Sequence, residues 1–538
     1  MLRRLPSWVC EATTGKDMLV STAFVNARIY TVNPEQPWAE AMLVDGPTIT
    51  AIGTEDHIRD VAPSEAEIVD LQGRMVMPGI HDAHLHLLFS GLKFRFEPRL
   101  SPGADSRQII RDLTSCPCAH PRDAHGNEWV VGGEFFPPAV GEVDRRFLDE
   151  AFPDQPVFLY DYSIHHGLAN TRALELAGVD ETVADPPGGR FLRRSSGELT
   201  GEMVEQARWP VMRAIPDHPE QVSAEAVAWA VSMCHRYGIT SVQEASANPQ
   251  ALRAFRALEQ QKALHLRIAA HLVWREEGFG GASAAELDQL IENRHQWRSE
   301  HVDTGFVKIW LDGAPLPPHT TQAGLTEEGD VEKSKILVPP AELTEALTRF
   351  DAAGLTVKIH CAGEGAVRTA LDAIAHVRRH NGPEGPAHEV AHAGFISEQD
   401  YGRFQELNVT AEMSPAMWHI PEYGLQDGFR FRTVLDHGAW MTVGSDWIIT
   451  ENPNLFPGLQ GMLQHGNQAV DLTAALEAVT IVGARAIGRQ DVQGSLEVGK
   501  SADFIVLDRH LFDIPIEETG ATQVLATVFE GTTVYTAP

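Results

Sequence analysis

Apolar residues along this chain follow two rhythms. Near either end they alternate with polar ones, as in half-buried strands. Residues 23–32 (AFVNARIYTV) alternate this way, 42–44, 48–52 and 75–77 are further short β runs, and Asp45-Gly46 is a turn pair. The far end repeats the pattern: 503–507 (DFIVL) and 524–535 (VLATVFEGTTVY) are β-rich, with Glu530-Gly531 at a turn. The two ends therefore predict one small β-sandwich domain assembled from residues 18–78 and 490–538. Between them, 79–489 alternates short β runs with helical ones, the signature of βα units on a parallel sheet. Eight strands are centred on 80–87, 240–245, 266–272, 306–311, 356–360, 389–393, 409–414 and 441–445, which predicts a TIM (β/α)8 barrel, α/β in class. Helical spacing fills 223–237, where Val227, Ala230, Val231, Cys234 and Tyr237 share a face and Gly238 stops the run. It recurs at 343–350, 367–377 and 472–487. Residues 95–222 break the metre. They are too long for a crossover and hold their own β run at 157–162, so they predict an inserted subdomain over the barrel mouth.

The length of 538 residues accommodates one barrel plus a second body. Acidic residues outnumber basic ones, 74 to 43, for a net charge of −31. That balance argues against nucleic acid or an anionic membrane and identifies no substrate; a small molecule is the expected partner. No run approaches the length of a spanning helix. Residues 1–17 carry Arg3 and Arg4 without an apolar stretch, so they read as a frayed tail or a start-site artefact and not as a signal peptide, with Met18 opening the first β-like run. The five cysteines, Cys10, Cys116, Cys118, Cys234 and Cys361, are sparse and odd in number, and Cys116-Pro-Cys118 is not a paired zinc-ribbon spacing. A reduced, cytoplasmic setting is the expectation. Monomer and homo-oligomer both stay open.

Chemistry enters with Asp82-Ala-His84-Leu-His86. Alternate strand residues point the same way, so the two imidazoles can reach one ion together. Three more candidates sit at or near strand ends, where barrel active sites assemble: His360, His392, and Asp446 in Gly444-Ser445-Asp446. Imidazoles plus one carboxylate suit zinc or a similar divalent cation. Lys308, between Val307 and Ile309, must turn from that apolar face into the barrel. A free ammonium there is costly. Carboxylation by CO2 would convert Lys308 into an anion able to bridge two ions; pairing with a carboxylate such as Asp312 is the alternative. Lys358 shares the face of His360, which makes it a rival for that role or a substrate contact.

Together these residues resemble the amidohydrolase superfamily, and within it the YtcJ-like branch (amidohydrolase family 3) that includes N-substituted formamide deformylases. The resemblance runs from about residue 20 to the end. It rests on Ala27-Arg-Ile-Tyr-Thr-Val, on Met77-Pro-Gly-Ile-His-Asp-Ala-His-Leu-His86, on Trp129-Val-Val-Gly-Gly and Gly197-Glu-Leu-Thr-Gly-Glu-Met-Val-Glu205 in the insertion, and on Gly238-Ile-Thr-Ser-Val. It also rests on Val307-Lys-Ile-Trp-Leu-Asp-Gly313, His360-Cys-Ala-Gly-Glu-Gly-Ala366, Gly444-Ser-Asp-Trp447 and Gly494-Ser-Leu-Glu-Val-Gly-Lys-Ser-Ala-Asp-Phe504. In the segment from Ser163, His165 and Asn170 match the branch, whereas Leu168 replaces its Trp and Glu364 replaces an Asp after the fifth-strand His.

The resemblance implies hydrolysis by a metal-activated hydroxide, with Asp446 passing the proton to the leaving nitrogen. With two ions, His84, His86 and Asp446 would hold one and His360 and His392 the other, carboxylated Lys308 lying between. With one ion, His84, His86, His360 and Asp446 would hold it and His392 would polarise the carbonyl. Expected substrate contacts are His165, Trp310, Lys358, Trp418 and Trp447, with Phe135 and Phe136 as further candidate walls. An aromatic pocket favours an aryl or alkyl amide. Residues 313–330, rich in Pro, Thr and Gly, are either a lid or an ordinary surface loop. The leading expectation is a hydrolase of linear, non-peptide C–N bonds. Deamination of a cyclic amidine or nucleobase-like ring, and an inactive scaffold, are the alternatives.

Overall fold

The computed structural model describes residues 21–118 and 120–538. The expected tail 1–17, Met18 and Cys10 lie outside them.

Eight parallel strands form the central sheet: β1 Ile80–Leu85, β2 Ile239–Ala247, β3 Arg267–Val273, β4 Val302–Trp310, β5 Thr356–Cys361, β6 Glu389–His392, β7 Thr410–Met413 and β8 Trp440–Val443. Each pairs with its sequence neighbour. The seam between β8 and β1 closes just past the strand ends, where Asp446 N–H donates to the His84 carbonyl at 2.7 Å and Leu85 bridges to Trp447. Gly444 permits this approach, because a Cβ there would stand 2.5 Å from His84 Cβ. The result is the expected TIM barrel.

Outward residues such as Val307, Ile309, Val357 and Ile359 are aliphatic and pack under the helices. Inward positions are polar: Asp82, Glu244, His271, Lys308, Lys358, Glu389 and Glu412 are all buried. Two helices on one flank cross closely, Leu87–Arg95 against Glu220–Arg236, since a Cβ on Gly91 would meet the Ala226 carbonyl at 2.2 Å. The run expected as one helix at 472–487 is two, Leu472–Ala478 and Ile481–Ala486. The break is set by tertiary bonding: the Val479 carbonyl accepts from His81 N–H of β1 instead of continuing the helix.

Both termini build the small domain. Strand Glu67–Pro78 pairs in parallel with Thr22–Tyr30 and, at its end, antiparallel with Phe504–Leu507. Phe24, Met42, Val76, Phe504 and Val528 meet in one apolar core, which neither end could close alone. The insertion carries a five-stranded sheet in the order Gly189–Arg193, Leu199–Glu205, His166–Ala169, Val157–Asp161, Val130–Phe135. Both of its faces are covered, one around Trp129 and Phe158 and the other around Phe135 and Leu159. Cys116 and Cys118 lie side by side, their Cα atoms 5.1 Å apart, while Cys234 and Cys361 are buried and free. Among the described residues, no helix is long and apolar enough to cross a membrane.

Candidate metal centre

The strand ends bring the expected ligands together. One ring nitrogen each of His84 and His392 and a carboxylate oxygen of Asp446 lie within 4.8 Å of one another. His86 Nε2 is 3.3 Å from Asp446 Oδ1, and Lys308 Nζ is 3.3 Å from His84 Nε2. The His360 and His392 ring centres are 4.2 Å apart. All six side chains are buried. His392 and Asp446 have φ of 68° and 50°, the left-handed region that non-glycine residues enter at a cost. At both positions the strand has just ended, and the turn aims the side chain back over the barrel axis.

Partners behind the ligands fix their tautomers. His84 Nδ1 meets Glu412 Oε2 at 2.6 Å and His86 Nδ1 meets Ser246 Oγ at 2.6 Å, so each Nε2 is left for the centre. Ser246 in turn is held by Glu244. Such carboxylate–imidazole pairs orient metal ligands and raise their basicity.

Electrostatics agree with a cation site. Burial pushes the His84 and His360 imidazoles well below their ordinary range, and His392 down to about 4, so all three are neutral and able to ligate. Burial alone would raise Asp446, but His84, His86 and His392 hold its carboxyl below the usual range. Burial, with Lys358 nearby, pulls Lys308 down to about 7. Asp312 does not pair with Lys308: its oxygens accept from the backbone of Ala323, Ala362 and Gly363. His360 Nε2 is buried without a hydrogen-bond partner, the nearest carboxylate oxygen being 3.6 Å away on Asp312. An orphaned nitrogen, beside neutral imidazoles and an ionised carboxylate, fits a divalent cation.

Two adjoining cavities open on this centre. One, of about 320 Å³, is lined by the ligands together with Lys308, Trp310 and Phe279. The other, of about 560 Å³, runs from His165, His360, His392 and Asp446 out to Leu316, Met417, Leu425 and Phe429. His165 reaches the cavity from the insertion, its Nδ1 3.0 Å from Glu205 Oε2. Burial lowers His165, yet the Glu205 charge outweighs it and the net shift is upward; Glu205 itself is held down to about 2 by His165 against the effect of burial. The loop expected as a lid or surface segment supplies Ala314, Pro315 and Leu316 to the wall. It is seated on Glu205 through the Thr321 hydroxyl at 2.5 Å.

Three expected substrate contacts are placed elsewhere. Lys358 is sealed beneath the histidines, donating to the Ala83 carbonyl at 2.6 Å with Glu389 and Glu412 beside it. Trp418 is buried and donates from Nε1 to the Gly458 carbonyl. Trp447, past the end of β8, is packed between Phe94 and Trp229. Phe135 is core of the insertion and Phe136 is exposed. Phe279, Leu316 and Phe429, which do line the site, lie in loops or a one-turn helix whose sequence carries no periodic signal. Glu412 was findable: it is the one ionisable residue of β7, on the same parity as Thr410.

Known proteins resemble this chain at low identity. A family described as "Amidohydrolase family" matches residues 67–535. N-substituted formamide deformylase of Arthrobacter pascens is 27% identical, covering 97% of this chain and 99% of its own. Putative amidohydrolase YtcJ of Bacillus subtilis (strain 168) is 25% identical over 94% of this chain and 98% of its own. Among solved structures, an uncharacterized metal-dependent hydrolase from Pyrococcus horikoshii superposes with a TM-score of 0.72 at 20% identity, covering 93% of this chain and 99% of that one.

Proposed function

The chain belongs to the amidohydrolase family, and from that premise we propose that it hydrolyses a non-peptide C–N bond, of the N-substituted formamide or related amide type, in a small organic substrate. The observation that carries this reading is the convergence of His84, His392 and Asp446, with His86, His360 and Lys308 around them.

His84, His86, His360, His392 and Asp446 would hold a divalent cation, for which zinc is the proposed identity, as one ion or two. When bound, such an ion supplies Lewis acidity: it lowers the pKa of water toward neutrality and polarises a carbonyl. Lys308, buried and drawn to about 7, has a neutral amine fraction able to attack CO2. N–C bond formation and loss of the amine proton give a carbamate, an anion among the imidazoles. Asp446, kept ionised by its neighbours, accepts a proton from the attacking water and returns it to the leaving nitrogen. His165 turns Nδ1 to Glu205 and leaves Nε2 for a substrate oxygen. The apolar wall at Leu316, Leu425 and Phe429 suits an alkyl or aryl substituent.

The test is a screen of N-alkyl and N-aryl formamides, acyl anilides and amino-substituted cyclic amidines with zinc-loaded protein, reading formate, amine and ammonia separately. The expected result is amine release from at least one linear amide, absent in His84→Ala. Ammonia release from ring substrates alone would point instead to a deaminase.

A further inference from the structure

A third cavity lies against the catalytic one. Ile164, Phe279 and Ile448 line both and so form the wall they share. Ile164, a β-branched residue at φ 66°, is held there in a backbone conformation that such residues rarely adopt. Phe89 gives the compartment an apolar side, and its remaining wall is Lys93, Glu97, Glu134 and Tyr160.

One carboxyl in this wall has no hydrogen-bond partner. Lys93 donates to Glu134 and to the Ile448 carbonyl, so its charge is already paired. Glu97 is 10% exposed, and no described residue hydrogen-bonds to its carboxyl. Lys93 acts on it from the same wall but is committed to Glu134, and His218 Nε2, 3.9 Å away, is an imidazole that burial, followed by His120, holds neutral, down to about 4. Arg99, the other cation nearby, is exposed and paired with Glu451 at 2.7 Å. A buried carboxyl without a partner is a cost that a ligand can remove.

We propose that this compartment is a subsite for the cationic end of the substrate, an ammonium group on an apolar stem, with Glu97 as its counter-ion. The proposal rests on the amide-hydrolase reading for the word substrate, while the binding site itself does not depend on the reaction. An apolar stem passes the shared wall at Ile164 and Ile448, and the ammonium meets Glu97 opposite the Lys93–Glu134 pair. Burial holds Glu97 up to about 8 when the subsite is empty. An entering cation favours the ionised form, so ligand binding at pH 7 expels a proton.

The probe is benzyltrimethylammonium, whose nitrogen has no lone pair for a metal, measured by titration calorimetry against its uncharged isostere neopentylbenzene. Wild-type protein should bind the ammonium in preference to the isostere and release up to about one proton per ligand, read from buffers of different ionisation enthalpy. Glu97→Gln should weaken ammonium binding by about tenfold or more, and His84→Ala should retain it. Equal affinity for charged and uncharged probes, or ammonium binding without proton release, would overturn the subsite; neither measurement needs the variant to fold. In turnover, N-(4-aminomethylbenzyl)formamide should exceed N-benzylformamide in kcat/KM by a similar factor. If neither formamide reacts while the ammonium binds as described, the reaction assignment fails and the subsite stands.

Discussion

Glu412 shows how a residue behind the centre governs one that faces it. Its carboxylate fixes the tautomer of His84 from behind, at 2.6 Å. Glu412→Gln should therefore lower metal affinity by about 10- to 100-fold, measured by competition with a chromophoric chelator, while the secondary structure stays intact. Lys308 makes a complementary prediction. Lys308→Ala should lose bound metal and most activity, with partial recovery when a short carboxylic acid is added; unchanged metal content in that variant would remove Lys308 from the centre. The convergence of His84, His86, His360, His392 and Asp446 was legible in the sequence because strand parity and strand ends are visible there. The side chains of Trp418 and Trp447 were not. An aromatic next to a candidate ligand reads as a wall, but Trp447, past the end of β8, packs against Phe94 and Trp229, and a backbone carbonyl claims the Trp418 indole.

At the scale of elements, the seam between β8 and β1 decides whether the ligands meet at all. Gly444→Ala places a Cβ 2.5 Å from His84 Cβ and 2.6 Å from its backbone nitrogen. The seam must open, at a cost of about 1–3 kcal/mol, so thermal denaturation should show a lower midpoint and dialysis a faster loss of metal. The C-terminal strands offer a pH-dependent tie to the barrel. His301, just before β4, lies 3.0 Å from Glu259 and 3.4 Å from Glu530 in the turn that ends strand Val524–Phe529. Burial lowers His301, but Glu530 and Glu259 raise it further, for a net upward shift. A raised folded pKa contributes stability that is complete below the unfolded value of about 6.5 and is lost as pH rises through the folded value. The stability difference between wild type and His301→Gln should accordingly shrink as pH rises above the unfolded value of about 6.5 in denaturant titrations. The eight barrel strands were visible as β-branched runs. The insertion's sheet was seen only at Val157–Asp161, because its other strands are short, glycine-bearing or charged, as in Gly189–Arg193, and take their order from packing on both faces.

Across the whole molecule, three bodies serve one centre. The barrel supplies the ligands, the insertion supplies Ser163, Ile164 and His165 to the cavities above them, and the terminal strands close a core that neither end holds alone. A cation bound only to the folded state must stabilise the whole chain, by about 2.7 kcal/mol at a hundredfold excess over its Kd. The central claim is that His84, His86, His360, His392 and Asp446 form a divalent-metal site. Its most direct test is elemental analysis of protein stripped by chelator, reloaded with zinc and freed of excess. The account predicts one or two equivalents per chain for wild type and loss of at least one in the double variant His84→Ala/Asp446→Ala. Wild-type protein that retains no metal, or a folded double variant that keeps the full complement, would contradict it.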